Sequence, residues 1–207
     1  MLNVAYFVQP TGITCQSTCL KMFATYLEQT AVLKSTDAAA EDIQAIWKDI
    51  NEDPKRPIKV RNAHRNMQWW LEQHFPSLKF EYIQTHDESA AIESIVRFIE
   101  GGSPVMVSVS HIHIILVVGY ENYIPNASSM DFKLVVHDPY GGFDPSLRSK
   151  LFGKRRGEGG LLVDVGRRKG AGSERSASSH RRRSPANRRL RTWHVLSLVR
   201  TSLSSVC

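Results

Sequence analysis

Gln9-Pro10-Thr11-Gly12-Ile13-Thr14-Cys15 runs directly into Gln16-Ser17-Thr18-Cys19-Leu20-Lys21-Met22, and most of the architecture hangs on how this stretch folds. The residues before it, Asn3 to Val8, read as a strand that ends at the Gln9 side-chain amide. Pro10 and Gly12 then set a short turn, and Cys15 opens an amphipathic helix to Gln29, with Cys19, Met22, Phe23, Tyr26 and Leu27 at helical spacing. A thiol at a helix N-terminus meets unpaired backbone N–H groups and the positive end of the helix dipole, both of which favour thiolate. Gln9, six residues earlier, can reach back over that sulfur as a hydrogen-bond donor.

Downstream, Asp37 is expected to cap a second helix through Asn51, with Ile43, Ile46, Trp47 and Ile50 on one face. A proline loop at Asp53–Pro57 precedes a third helix, about Asn62 to His74. Leu78 to Gln84 alternates like a strand, and Asp87 caps a fourth helix that stops at Gly101-Gly102. From Pro104 the β-branched runs Val105–Ser110, His111–Tyr120 and Phe132–His137 predict an antiparallel sheet. The order predicts an α+β fold, a helical half packed against an antiparallel β half, with a cleft between them.

A chain of 207 residues holds one full hydrophobic core, or a core plus a tail. Its net charge of +7 is unevenly placed. Residues 1–147 carry 11 Lys+Arg against 17 Asp+Glu, whereas residues 148–207 carry 16 against 3. The body is therefore acidic, and a nucleic-acid or acidic partner would have to be met by the tail alone. Three cysteines form no disulfide framework, which suits a reducing compartment. With neither a secretory signal nor an apolar run near the ~20 residues of a membrane span, a cytoplasmic protein is expected, export by a signal-independent route aside.

Gly153 to Arg191 is rich in Gly, Arg and Ser without periodicity, so disorder is expected there, with Trp193–Val199 as one last strand. Residues 1–153 are read as the catalytic domain and 154–207 as a basic tail. The tail's 12 Arg against 2 Lys also suit translation out of frame from a GC-rich gene.

Thiol hydrolysis needs a nucleophile, an imidazole, a group that fixes the imidazole tautomer, and oxyanion donors. Cys15 is the candidate nucleophile. His113, at the start of Ile114-Ile115-Leu116-Val117-Val118-Gly119-Tyr120, is the candidate base. Asp138, in His137-Asp138-Pro139-Tyr140-Gly141-Gly142, can orient it, and Gln9 with the Cys15 amide can hold the oxyanion. His111 and Gln16 are candidate substrate contacts. Cys19, one turn beyond Cys15, reads as a packing thiol. A zinc site from Cys15, Cys19, His111 and His113 matches no common ligand spacing, so no metal or organic cofactor is expected.

The Gln9…Cys15-Gln16-Ser17-Thr18-Cys19-Leu20-Lys21-Met22 block resembles the Gln…Cys-Gly-Pro-Thr-Ser-x-x-Met start of papain-like cysteine peptidases. His113 with Val-Val-Gly-Tyr, and Asp138-Pro139-Tyr140-Gly141-Gly142, match the second and third blocks in the same order. The resemblance, over residues 3 to 152, is to the bacteriocin-leader-processing (double-glycine) peptidases and their stand-alone bacterial relatives. It implies a papain-like fold, a peptide or protein substrate, a triad of Cys15, His113 and Asp138, and Gln9 as oxyanion donor. Gln16-Ser17 stands where that family has Gly-Pro, which alters the start of the helix and the acyl pocket. No transporter segment follows, so maturation of a co-exported peptide is not implied. A cell-wall amidase or effector toxin would use the same site, and a non-catalytic peptide-binding module would use the same fold.

Overall fold

The structure, a computed structural model, describes residues 1–30, 37–109, 113–124, 132–141, 155–156, 160–164 and 192–199. Its helices are α1 (Cys15–Thr30), α2 (Ile43–Glu52), α3 (His64–His74) and α4 (Glu88–Glu100), with a short 3-10 turn at Asp37–Ala39. The strands are β1 (Lys79–Thr85), β2 (Val105–Val109), β3 (Ile114–Glu121), β4 (Lys133–His137), β5 (Arg155–Arg156), β6 (Gly160–Asp164) and β7 (Trp193–Val199). They form one sheet in the order β1-β7-β2-β3-β4-β6-β5, antiparallel at every pairing.

Alternation along the strands divides the interior into two cores. Met106, Leu116, Val118, Leu196 and Leu198 face α1, α2 and α3, where Leu20, Phe23, Ile46, Ile50, Trp70 and Leu71 close the larger core. Val105, Val107, Ile115, Val117, Val136 and Val195 face the other way, onto Ile95, Phe98 and Ile99 of α4. The fold is thus α+β, with three helices on one sheet face and α4 covering the opposite one. Among the described residues no helix is long and apolar enough to cross a membrane.

Three expectations need correction. Asn3–Val8 is extended but joins no ladder; it is tied by Leu2 N to Val118 O (2.7 Å) and Gln9 N to Pro139 O (2.9 Å). The Val118 carbonyl is free for this because the β3–β4 register shifts between Val117 and Gly119. The second helix starts at Ile43 rather than after Asp37. The Lys21 ammonium binds the carbonyls of Ala39 and Glu41, and Glu28 Oε1 accepts from Ala39 N (3.0 Å), so this segment is held against α1 as a turn. Finally, β5 and β6 lie within residues expected to lack structure; the Leu161-Leu162-Val163 run was hidden by the arginine-rich composition around it. The arginine clusters at 181–183 and 188–191 fall outside the described residues.

The expected strand Trp193–Val199 is present, and it occupies the sheet interior between β1 and β2. Its buried Ser197 hydroxyl bonds Pro104 O (2.8 Å) and the Ser103 hydroxyl (2.9 Å), fixing it at the start of β2. The sheet therefore draws strands from both sides of residue 153.

Two asparagines shape the connection from α2 to α3. Asn66, fully buried, donates to Ile50 O (2.8 Å) and Ile58 O (2.9 Å) and accepts from Ile58 N (3.0 Å). Asn62 takes a left-handed conformation, φ 60°, that asparagine tolerates better than most residues. Its N–H bonds Asn51 Oδ1 (2.6 Å) and its carbonyl accepts from Gln16 Nε2 (2.8 Å), so the turn is pinned to α2 and α1 together. Replacing Asn66 by Ala leaves three backbone groups without their partner and is expected to cost about 2–3 kcal/mol in urea unfolding. A change under about 0.5 kcal/mol would show that the loop is anchored elsewhere.

Candidate active site

The turn before α1 is built from hydroxyls. Thr14, fully buried, accepts from Thr11 N (3.3 Å) and donates through its own hydroxyl to Thr11 O (3.1 Å). The hydroxyls of Ser17 (3.1 Å) and Thr18 (2.8 Å) donate back to Thr14 O. These hydroxyl bonds tie the turn to the first turn of α1, and Cys15 is held as the first helical residue.

Opposite α1, His113 precedes β3 and Asp138 follows β4, neighbouring strands of the sheet. His113 Nε2 and Asp138 Oδ1 are 2.7 Å apart, both residues buried. Asp138 Oδ1 also accepts from Tyr140 N (2.9 Å). Its carbonyl accepts from the Tyr6 hydroxyl (2.9 Å), so the extended N-terminal segment supports the acid. A Cβ on Gly141 would lie 1.8 Å from that hydroxyl, so a side chain there would have to displace Tyr6 from Asp138. The Tyr140 ring stands edge-on to His113 (4.7 Å, 80°), and its hydroxyl reaches Gly12 O (3.4 Å) across the cleft.

Cys15 and His113 line the same cavity, and the His113 side chain acts on the Cys15 thiol. Asp138 engages Nε2, so Nδ1 is the ring nitrogen that can serve the sulfur. Burial alone would push the thiol up, but the bond and charge of His113, with the backbone N–H groups of Ile114 and Gln16, outweigh it and hold the pKa below 9.0. For His113, burial disfavours the charged ring, yet the bonds to Asp138 and Cys15 and their charges raise it to about 9. Both shifts favour the thiolate–imidazolium pair. Stability linked to the raised His113 pKa is fully present below about 6.5 and is lost as pH rises through about 9.

The profile of the peptidase C39-like family matches residues 1–154. This chain belongs to the peptidase C39-like family. No curated protein sequence matches it. Membership makes the protein a peptidase, a hydrolase with peptide or protein substrates, on a papain-like α+β fold.

In this C39-like peptidase Gln9 is buried, and its Nε2 donates to Thr11 O (2.6 Å) within the turn. Cys19 lies beneath the site, its thiol donating to Ile114 O (3.6 Å); burial first, then the charges of Cys15 and Asp138, raise its pKa well above 9.0. His111 lies outside the described residues. Among those described, no group of three or more His, Cys, Asp or Glu could hold a metal ion.

A cavity of about 600 Å³ opens beside Cys15 and His113 and is lined by Gln16. Ile13, Ile58 and Val60 form an exposed apolar rim. Its far wall carries residues that sequence reasoning assigned no role. His64 stacks on His194 (4.3 Å, 10°), and His194 Nδ1 meets the Tyr82 hydroxyl (2.6 Å). His64 and His194 lie more than a hundred residues apart, so no local spacing signals them. Tyr140 stood in a quoted motif, but only the fold shows that it flanks His113.

Iodoacetamide is expected to label Cys15 in the native protein and spare Cys19, with the rate rising through a midpoint below 9.0. His113→Ala should move that midpoint up. Preferential labelling of Cys19, or a wild-type midpoint at or above 9.0, would show that the Cys15 thiol is not activated.

Proposed function

We propose that this protein hydrolyses peptide or isopeptide bonds through a Cys15–His113–Asp138 triad with Gln9 as an oxyanion donor. The observation that carries the reading is the buried His113–Asp138 pair (2.7 Å), with His113 lining the same cavity as Cys15 and acting electrostatically on its thiol.

Cys15 thiolate attacks the carbonyl carbon, and charge moves to the carbonyl oxygen. The Cys15 backbone N–H and the Gln9 amide stabilise that oxyanion. Gln9 Nε2 has two hydrogens, and its bond to Thr11 O uses one. His113 imidazolium then protonates the leaving amine through Nδ1, leaving an acyl-thioester. The neutral ring next takes a proton from water as the water adds to the thioester. Collapse of that second tetrahedral species releases the carboxylic acid and restores the thiolate–imidazolium pair. Asp138 keeps Nε2 protonated throughout and stabilises the ring's charge. Gln16, at the cleft wall, and His111, two residues before His113, are assigned to substrate contact.

Cys15→Ala should lower kcat/KM by about 10³-fold or more while leaving the melting temperature near that of wild type. Gln9→Ala should lower it about 10²-fold, mainly in kcat. An intact fold with unchanged hydrolysis in Cys15→Ala would end the reading.

The alkaline limb of kcat/KM is expected near pH 9, where His113 loses its proton. Asp138→Asn removes the charge that raises His113, so this limb should move toward the ordinary histidine value of about 6.5. A limb that stays near 9 in Asp138→Asn would remove Asp138 from its role.

A further inference from the structure

The cleft has a charge character opposite to that of the body around it. Residues 1–147 carry 17 Asp+Glu against 11 Lys+Arg, yet among the described residues that line the cavity there is no carboxylate, while Arg61 and Arg65 both face it. Arg61 is partly engaged by Glu52 at 3.4 Å on the surface. Arg65 has no carboxylate partner among the described residues, and its guanidinium lies over the Tyr82 ring (5.2 Å).

Arg65 sits in the first turn of α3, whose start (Asn62, Ala63, His64) lines the same cavity. The N-cap is Ala63, which offers no side-chain acceptor, and the first turn carries no acidic residue. Asn66 N bonds back to Ala63 O (3.0 Å), and the positive dipole end beside Arg65 favours an acceptor from outside the helix.

A second, independent feature comes from the sheet. Gln84, His194, Ser108 and Ile114 are register partners in sequence, forming one row across β1, β7, β2 and β3. This row runs under the cleft and ends at Ile114, which follows His113 in the chain. Ser108, 2% exposed, lines the cavity with a hydroxyl that has no hydrogen-bond partner among the described residues. Gln16, 4% exposed, also lines it: Nε2 is bound to Asn62 O, while Oε1 has no partner among the described residues. A buried polar atom without a partner costs stability unless a ligand supplies one.

We infer that the α3 side of the cleft is a carboxylate subsite, and that the peptidase selects substrates with an aspartate or glutamate within a few residues of the scissile carbonyl. The inference rests on the proposed hydrolysis for its placement beside the cleaved bond. The substrate carboxylate meets the Arg65 guanidinium at the positive end of α3, with the Ser108 hydroxyl as the deeper donor. Gln16 Oε1 accepts a main-chain N–H of the same peptide, which orients it along the cleft. The stacked His64–His194 pair, held by Tyr82, keeps the wall rigid.

The test uses quenched peptides that differ only by Glu, Gln or Lys at each position flanking the cleaved bond. In parallel, binding of the same peptides to the Cys15→Ala protein is measured by fluorescence anisotropy. Wild type is expected to favour Glu over Gln by about tenfold or more in kcat/KM at its best position, with the advantage shrinking as salt is raised. Cys15→Ala should show the same order in Kd. Arg65→Gln should bring the Glu/Gln ratio close to one, and Ser108→Ala should reduce it by a smaller factor, both with wild-type circular dichroism. Hydrolysis without preference for Glu overturns the subsite and leaves the peptidase chemistry standing. Glu-selective binding without hydrolysis of any peptide supports the subsite and overturns that chemistry. A Glu/Gln ratio that survives in folded Arg65→Gln overturns the assignment to α3.

Discussion

The contact between His113 and Asp138 is the constraint around which the rest of the molecule is disposed. Neither residue lies within a strand; one precedes β3 and the other follows β4, so their meeting depends on the antiparallel register of that pair. In a buried setting a neutral imidazole would be the cheaper species. The carboxylate reverses that preference, and the charged ring in turn draws the Cys15 thiol toward thiolate. Each group is ionised on condition that the next one is, which makes the three a single electrostatic unit.

Around that unit the fold supplies supports of different kinds. The Thr11–Thr14 hydroxyl network fixes the start of α1 and so the sulfur. The extended N-terminal segment, through Tyr6, fixes the backbone of Asp138, and the lack of a side chain at Gly141 lets it approach. Tyr140 covers the flank of His113 and bridges to the Gly12 turn. The two faces of the sheet divide the remaining labour: α1 to α3 carry the cleft, while α4 only seals the opposite side.

Much of this was legible in the residues. Cys15, His113 and Asp138 could be singled out because each sits at a boundary between a turn and a regular element, where local patterns are sharpest. The Asp87 cap of α4 also emerged as expected, its Oδ1 accepting from Ser89 N (2.9 Å) and Ala90 N (3.3 Å). What stayed hidden depends on distant partners. Asn3–Val8 has strand-like composition, but the β4 edge it might have joined is occupied by β6. The start of α2 was displaced by Lys21, a residue of another helix. The wall formed by His64, Tyr82 and His194 comes from three elements with no shared spacing, and Gln9, read as a donor to the site, also proves to brace its own turn.

The interior position of β7 has a bearing on how the protein comes into being. Strands β1 and β2 do not touch each other; each pairs with β7, which emerges from the ribosome more than a hundred residues after β1 and some ninety after β2 begins. Until β7 arrives, the sheet lacks the strand that carries His194 into the cavity wall. Adding it requires contacts of very long sequence separation, the slowest kind to form. Synthesis therefore delivers the strand that completes the cavity wall after every other described element.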